Sequence, residues 1–107
     1  MEDILKDVCF SARRALQGQT PDTLRAYSFE IDSEKKVLRL RAHFAEPPSE
    51  DDLEAISIIE TEIGADFLDR FEGETDTEVV APGKSLSLLP GGVAYLREGE
   101  PGEVCAE

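Results

Sequence analysis

Residues 26–67 read AYSFEIDSEKKVLRLRAHFAEPPSEDDLEAISIIETEIGADF and contain the strongest local signals in the chain. In the first half of this segment, apolar and polar residues alternate on both sides of a turn at residues 32–35. The apolar positions are Tyr27, Phe29 and Ile31 before the turn, and Leu38, Leu40, Ala42 and Phe44 after it. A period of two is typical of strands with one buried face, so the pattern predicts an antiparallel hairpin.

The second half of the segment predicts a helix. Pro47 and Pro48 end the second strand, and Ser49 is a suitable N-cap because its hydroxyl can accept a hydrogen bond from the first turn. Three acidic residues then occupy that turn, where they suit the helix dipole. The apolar positions that recur at helical spacing are Leu53, Ile56, Ile59, Ile63 and Phe67. This stripe predicts the buried face of the helix.

Three further elements and a tail are expected outside this segment. Residues 3–17 have an amphipathic helical pattern, whereas residues 75–81 and 93–97 have the composition of strands. Residues 98–107 are rich in Gly, Pro and Glu, which predicts a frayed tail. The order α-β-β-α-β-β in one domain of residues 1–107 predicts an α+β fold. We expect a two-layer sandwich whose mainly antiparallel sheet carries both helices on one face.

The negative charge of the chain is concentrated in one region. Of its 24 acidic residues, 13 lie between Glu46 and Glu78, where Arg70 is the single basic residue, so this region carries −12 of the net charge of −13. Such a region attracts cationic partners and repels nucleic acid, whose recognition requires Lys and Arg. The alternative is that the acids form a solvated surface that keeps the protein soluble.

The composition also bears on the compartment. No apolar run is long enough for a signal peptide or a membrane span, so we expect a cytoplasmic protein with no membrane partner. Cys9 and Cys105 lie near opposite ends of the chain, and without a secretory signal they are expected to remain reduced thiols. Cys9 falls on the apolar side of the first helix and is expected in the core.

Ionisable residues give little indication of catalysis. His43 is the sole histidine, and it shares a strand face with Arg39 and Arg41, so we expect it at the surface. No spacing typical of a zinc, phosphate or calcium site is present, and no cofactor is expected. Acidic residues do alternate in the third strand and its approach, where they either form a solvated face or hold a divalent cation. They are Glu72, Glu74, Asp76 and Glu78.

Two residues of the second helix are out of pattern. Glu60 falls on the buried side, so it requires a hydrogen-bonding partner; a structural role is favoured over that of a general acid. Ile58 falls on the opposite, acidic face, where it is the apolar anchor of a binding surface, part of a wide buried stripe, or an ordinary exposed apolar residue. The candidate partner-binding residues are Asp51, Glu54, Ile58, Thr61, Glu62, Asp66 and Asp69.

Two segments carry a family resemblance. They are the helical motif from Pro48 to Phe67, P-S-E-D-D-x-E-x-x-S-x-x-x-T-E-I-x-A-D-F, and the strand Tyr95-Leu96-Arg97. Both resemble the corresponding segments of small acidic immunity proteins of bacteria. Such proteins protect cells from polymorphic or contact-dependent growth inhibition toxins. The resemblance extends over most of residues 20–99 and implies a non-enzymatic inhibitor that binds a cationic toxin domain, for example a nuclease. The alternatives are an adaptor for another cationic protein, or a hydrolase that uses carboxylates and a divalent metal.

Overall fold

The computed structural model describes residues 2–67 and 69–105. It confirms the predicted element order. The elements are α1 (Glu2–Leu16), β1 (Leu24–Asp32), β2 (Val37–Phe44), α2 (Glu50–Phe67), β3 (Glu72–Val79) and β4 (Gly92–Leu96). The third strand begins three residues earlier than the sequence predicts, because its polar residues pair with β2 even though they carry no apolar alternation.

The four strands form one mixed sheet in the order β3-β2-β1-β4. The predicted hairpin is present, with Tyr27 opposite Ala42 and Phe29 opposite Leu40, and β4 also runs antiparallel to β1. The strand β3 runs parallel to β2. This is possible because α2 connects the two strands and returns the chain to the end of the sheet at which β2 begins. The sheet is therefore mainly antiparallel, with β3 and β4 at its two edges.

Both helices pack on one face of the sheet and share its core. Tyr27, Phe29 and Leu40 point to this face and form one buried cluster with residues of the two helices. The helical members are Val8, Cys9, Ala12, Ala15 and Leu16 of α1 and Ile56, Ile59, Ile63 and Phe67 of α2. The prediction for Leu53 was wrong: it lies in the first turn of α2 and remains 46% exposed.

The C-terminal residues have defined contacts where the sequence predicts fraying. Cys105 forms a disulfide with Cys9, with Cα atoms 6.2 Å apart, so the expectation of reduced thiols was wrong. Cys105 also donates its N–H to the Val93 carbonyl at 2.7 Å and accepts a bond from Arg13 at 3.0 Å. The pairing arises because α1 packs near β4, where the tail returns. Residues 106 and 107 lie outside the described residues.

The second face of the sheet is covered by the segment between β3 and β4. Ser28 and His43 lie on this face and are fully buried, so the expectation of a surface histidine was wrong. The Leu89 N–H donates a hydrogen bond to the Ser28 hydroxyl oxygen at 3.0 Å. The Arg25 guanidinium donates hydrogen bonds to three backbone carbonyls of the same segment. Within the described part of the chain, no helix is long and apolar enough to cross a membrane.

Candidate partner-binding surface

The start of α2 is held in place by its cap. The Ser49 hydroxyl accepts the N–H of Asp52 at 3.1 Å, and the Asp52 carboxylate accepts the N–H of Ser49 at 3.2 Å. This reciprocal pair satisfies two N–H groups that the first turn of a helix leaves without partners. The Asp52 carboxylate also accepts a bond from the Thr23 hydroxyl at 3.1 Å, which ties the helix to the segment before β1. The outer face of α2 is therefore presented on a fixed element.

Four of the candidate residues lie together on that outer face. Ile58 is 40% exposed, and Glu54 and Glu62 lie one helical turn before and after it. Asp51 is exposed on the same side, opposite the buried Ile56, Ile59, Ile63 and Phe67. Across the described residues, the carboxylates of Asp51, Glu54 and Glu62 have neither an ion pair nor a hydrogen bond, so they are available to a partner.

The other three candidates have different surroundings. Thr61 is exposed, and its hydroxyl donates to the Ser57 carbonyl of the same helix at 2.9 Å. Asp66 faces α1, where its carboxylate accepts bonds from Ser11 at 2.5 Å and Arg14 at 3.0 Å. Asp69 is exposed beyond the end of the helix. Asp66 thus joins the two helices, and its charge is partly balanced by α1.

The alternating acids of β3 form ion pairs with β2. Arg39 donates to Glu74 at 3.0 Å, and Arg41 forms a two-bond pair with Asp76 at 2.7 and 3.0 Å. The pairing follows from the parallel register, in which Arg39, Arg41 and His43 lie opposite Glu74, Asp76 and Glu78. The hydrogen bond from Arg41 lowers the pKa of Asp76. The equal spacing of the basic and acidic residues is a sequence signal for this pairing, whereas the alternation of the acids by itself predicts only a solvated face or a cation site.

His43 completes this row from a buried position. Its Nδ1–H donates to Glu78, and its Nε2 accepts the Ser28 hydroxyl at 2.7 Å. This assignment gives a partner to both ring nitrogens of His43. The ionised Glu78 carboxylate can only accept a hydrogen bond, so Nδ1 has to donate; the Ser28 oxygen already accepts the Leu89 N–H, so its own hydrogen is free to donate to Nε2. Burial lowers the pKa of His43 and outweighs the effect of Glu78, which favours the neutral ring.

The hydroxyl, imidazole and carboxylate have the connectivity of a hydrolytic triad, but their placement is unsuited to catalysis. Ser28 and His43 are both fully buried, and the Ser28 oxygen is occupied by the backbone of the covering segment. An attacking oxygen must reach a substrate carbonyl at about 3–3.5 Å. The network instead joins β1, β2 and β3 to the segment around Leu89.

Glu60 is half-buried on the flank of α2 that lies beside Thr75 of β3. Burial raises the pKa of Glu60, and the nearby Thr75 side chain acts in the opposite direction. Burial raises the pKa of Tyr27, and the negative charge of the neighbouring Glu60 raises it further. The Tyr27 hydroxyl is buried and has no hydrogen-bond partner among the described residues.

Across residues 2–67 and 69–105, no group of three or more His, Cys, Asp or Glu side chains is arranged to hold a metal ion. Comparison with curated proteins gives no match. The model of the family described as MafI2 immunity protein matches residues 5–98, which include all six helices and strands in whole or in large part. The match covers most of the sequence, and the chain therefore belongs to the MafI2 immunity protein family.

Proposed function

We propose that this protein neutralises a cognate toxin by binding a basic toxin domain through the outer face of α2. The family assignment supports an immunity function. The observation that carries the proposed surface is the exposed Ile58 between Glu54 and Glu62, whose carboxylates have no partner among the described residues. An apolar centre with a charged rim is the arrangement of a protein-binding hot spot.

The two kinds of residue on this face have different roles. The carboxylates of Asp51, Glu54 and Glu62 attract a cationic domain over several ångströms and speed its association, an effect that salt weakens. Burial of Ile58 under the toxin slows dissociation, because exposing apolar surface again is unfavourable. Thr61 and Asp69 extend the rim. Asp66 contributes less than these residues because Arg14 already balances its charge.

Inhibition on this proposal is by binding alone, without catalysis by the immunity protein. The toxin domain, which we take to be a nuclease or another enzyme of a contact-dependent growth inhibition system, is blocked at its active site or at a surface that it needs. We place the encounter in the cytoplasm of the protected cell. Disulfides persist in oxidising compartments, so this placement requires the chain to bind the toxin with Cys9 and Cys105 reduced as well. Binding measured with and without reductant tests that requirement.

The charge of the face is tested with two matched triple variants. In the first, Asp51, Glu54 and Glu62 are replaced by Lys. In the control, the exposed acids Asp22, Glu34 and Glu98 are replaced by Lys, which changes the net charge by the same amount elsewhere. We expect the first variant to associate at least tenfold more slowly with the purified toxin domain and to lose most of the salt dependence.

The control variant should retain most of the association rate, because its acids lie outside the outer face of α2. Equal slowing in both variants would show that overall charge, and not this face, controls association. If the wild-type protein binds the toxin domain but leaves its activity intact, the adaptor alternative replaces inhibition.

The anchor is tested separately with Ile58→Ala. We expect a melting temperature within a few degrees of wild type and binding weaker by about 1–2 kcal/mol, mainly through faster dissociation. Leu88→Ala is the control, since Leu88 is similarly exposed, at 37%, on the segment that covers the opposite face of the sheet. A stability loss of about 2–5 kcal/mol without a separate binding defect would assign Ile58 to the core.

A further inference from the structure

One edge of the sheet is covered by another segment of the chain and the other edge is exposed. The β4 edge is covered by the tail, because Cys105 donates to the Val93 carbonyl and is held by the disulfide. The β3 edge is an eight-residue strand, Glu72–Val79, in which every residue except Glu78 is exposed. Its register with β2 is continuous, without a bulge, and its sequence contains no proline. Edges of this kind can accept another strand unless charge or shape prevents it.

The backbone groups that face outward from β3 can be assigned. Glu72 donates its N–H to the Lys36 carbonyl, and Val80 donates to Phe44, both at 2.8 Å. Because backbone groups alternate in direction along a strand, even-numbered residues bond to β2 and odd-numbered residues point away from it. The outward N–H and C=O groups therefore belong to Gly73, Thr75, Thr77 and Val79.

On the helix face, apolar side chains lie uncovered beside this edge. Glu60 of α2 lies beside the Thr75 side chain, so this flank of α2 borders β3. Leu53 lies on the same flank two turns before Glu60, about 10 Å along the helix axis. Val79 lies four residues after Thr75, about 13 Å in the same direction, because α2 runs antiparallel to β3. Leu53 and Val79 are 46% and 49% exposed, because β3 is the last strand on this side of the sheet and, among the described residues, no further strand covers them.

On the other face, the edge is acidic. The side chains of Glu74 and Asp76 remain 53% and 55% exposed despite their ion pairs, so each carboxylate has room for a second cation. Glu72 adds a charge without an ion pair among the described residues. A second copy of β3 would bring two acidic rows side by side, which is unfavourable. A strand with lysine or arginine on one face is complementary instead.

We propose that the β3 edge takes up an extended segment of the toxin as a fifth strand, and that the side chains of this segment alternate between apolar residues and lysine or arginine. Its apolar side chains would cover Leu53 and Val79, and its cations would reach Glu72, Glu74 and Asp76. Strand addition supplies affinity through backbone hydrogen bonds and specificity through the alternating side chains. The identity of the occupant rests on the proposed immunity function, whereas the chemistry of the edge does not.

Thr77→Pro tests the backbone contribution, with Thr77→Val as the matched control. Proline at this position removes an outward N–H and leaves the bonds to β2 intact, which edge strands tolerate. With the purified cognate toxin domain, we expect Thr77→Pro to weaken binding at least tenfold in calorimetry and Thr77→Val less than threefold. Equal affinity of the two variants, with unchanged circular dichroism, would overturn the proposal.

A peptide experiment does not depend on the toxin or on the folding of a variant. The probe is the octapeptide KVKVKVKV, added to the ¹⁵N-labelled wild-type protein, with EVEVEVEV and KKKKVVVV as controls. We expect the amide signals of Gly73, Thr75, Thr77 and Val79 to shift with the first peptide only. Shifts elsewhere, equal shifts with a control, or shifts of these amides on concentrating the protein alone would each overturn the proposal. Shifts at the edge without toxin inhibition would remove the proposed function and leave the edge chemistry standing.

Discussion

The buried pair of Arg25 and Glu100 allows a stability prediction to be made from the contacts themselves. The Arg25 side chain is 3% exposed and that of Glu100 is 11% exposed. All five N–H donors of the guanidinium are used. Two reach the Glu100 carboxylate at 2.6 and 2.8 Å, and three reach the carbonyls of Val80, Ala81 and Lys84 at 2.9–3.0 Å.

Glu100→Gln removes the counter-charge and keeps the shape of the side chain. The guanidinium then remains buried and charged, and one amide N–H of the glutamine has to face its donors. Breaking one side of a buried ion pair typically costs about 3–5 kcal/mol. For a chain of this size, the corresponding fall in melting temperature is about 12–20 °C. Glu98→Gln, two residues away and exposed, is the control and should cost less than about 0.5 kcal/mol.

Urea denaturation at pH 7 and at several lower pH values measures both the cost and its origin. The hydrogen bond from Arg25 lowers the pKa of Glu100 below its usual value of 4.5. Its stabilisation is therefore present above about pH 4.5 and is lost as the pH falls through the lower pKa of the folded state. The difference between wild type and Glu100→Gln should narrow over that range. A loss below about 1 kcal/mol at pH 7, or a difference independent of pH, would refute the assignment of a buried ion pair.

Three further predictions concern other buried groups. Glu60→Gln keeps the shape of the side chain and removes a desolvated charge whose pKa is raised, so it should be at least as stable as wild type at pH 7. The difference should shrink as the pH falls towards 4.5, and a clear loss in urea denaturation at pH 7 would contradict this. Reduction of Cys9–Cys105, which are 96 residues apart, should lower the unfolding free energy by about 4–5 kcal/mol, and an unchanged thermal transition in dithiothreitol would argue against the bond. Ser28→Ala leaves His43 Nε2 buried without its donor and should cost about 1–3 kcal/mol by chemical denaturation; wild-type stability would mean that the network does not hold the covering segment.

The hairpin, the start of α2 and the side of α2 that carries Ile58 were predictable from the sequence, because each depends on local rules. Alternation with a period of two places Tyr27 and Phe29 on one face whatever the rest of the chain does. Ser49 caps α2 through a hydrogen bond to a residue three positions away. The helical period alone places Ile58 opposite Ile56 and Ile63. The concentration of acidic residues in one region is likewise a property of the sequence itself.

The remaining features depend on which distant segments meet. His43 is buried and Glu78 is paired because β3 joins the sheet parallel to β2 and the following segment folds back over that face. The disulfide forms because the tail returns to α1, and Leu53 stays exposed because the sheet ends at β3. Local periodicity specifies which face of an element is apolar, but not which element covers it. That second choice is made by the packing of the whole chain, and it decides which carboxylates are left for a partner.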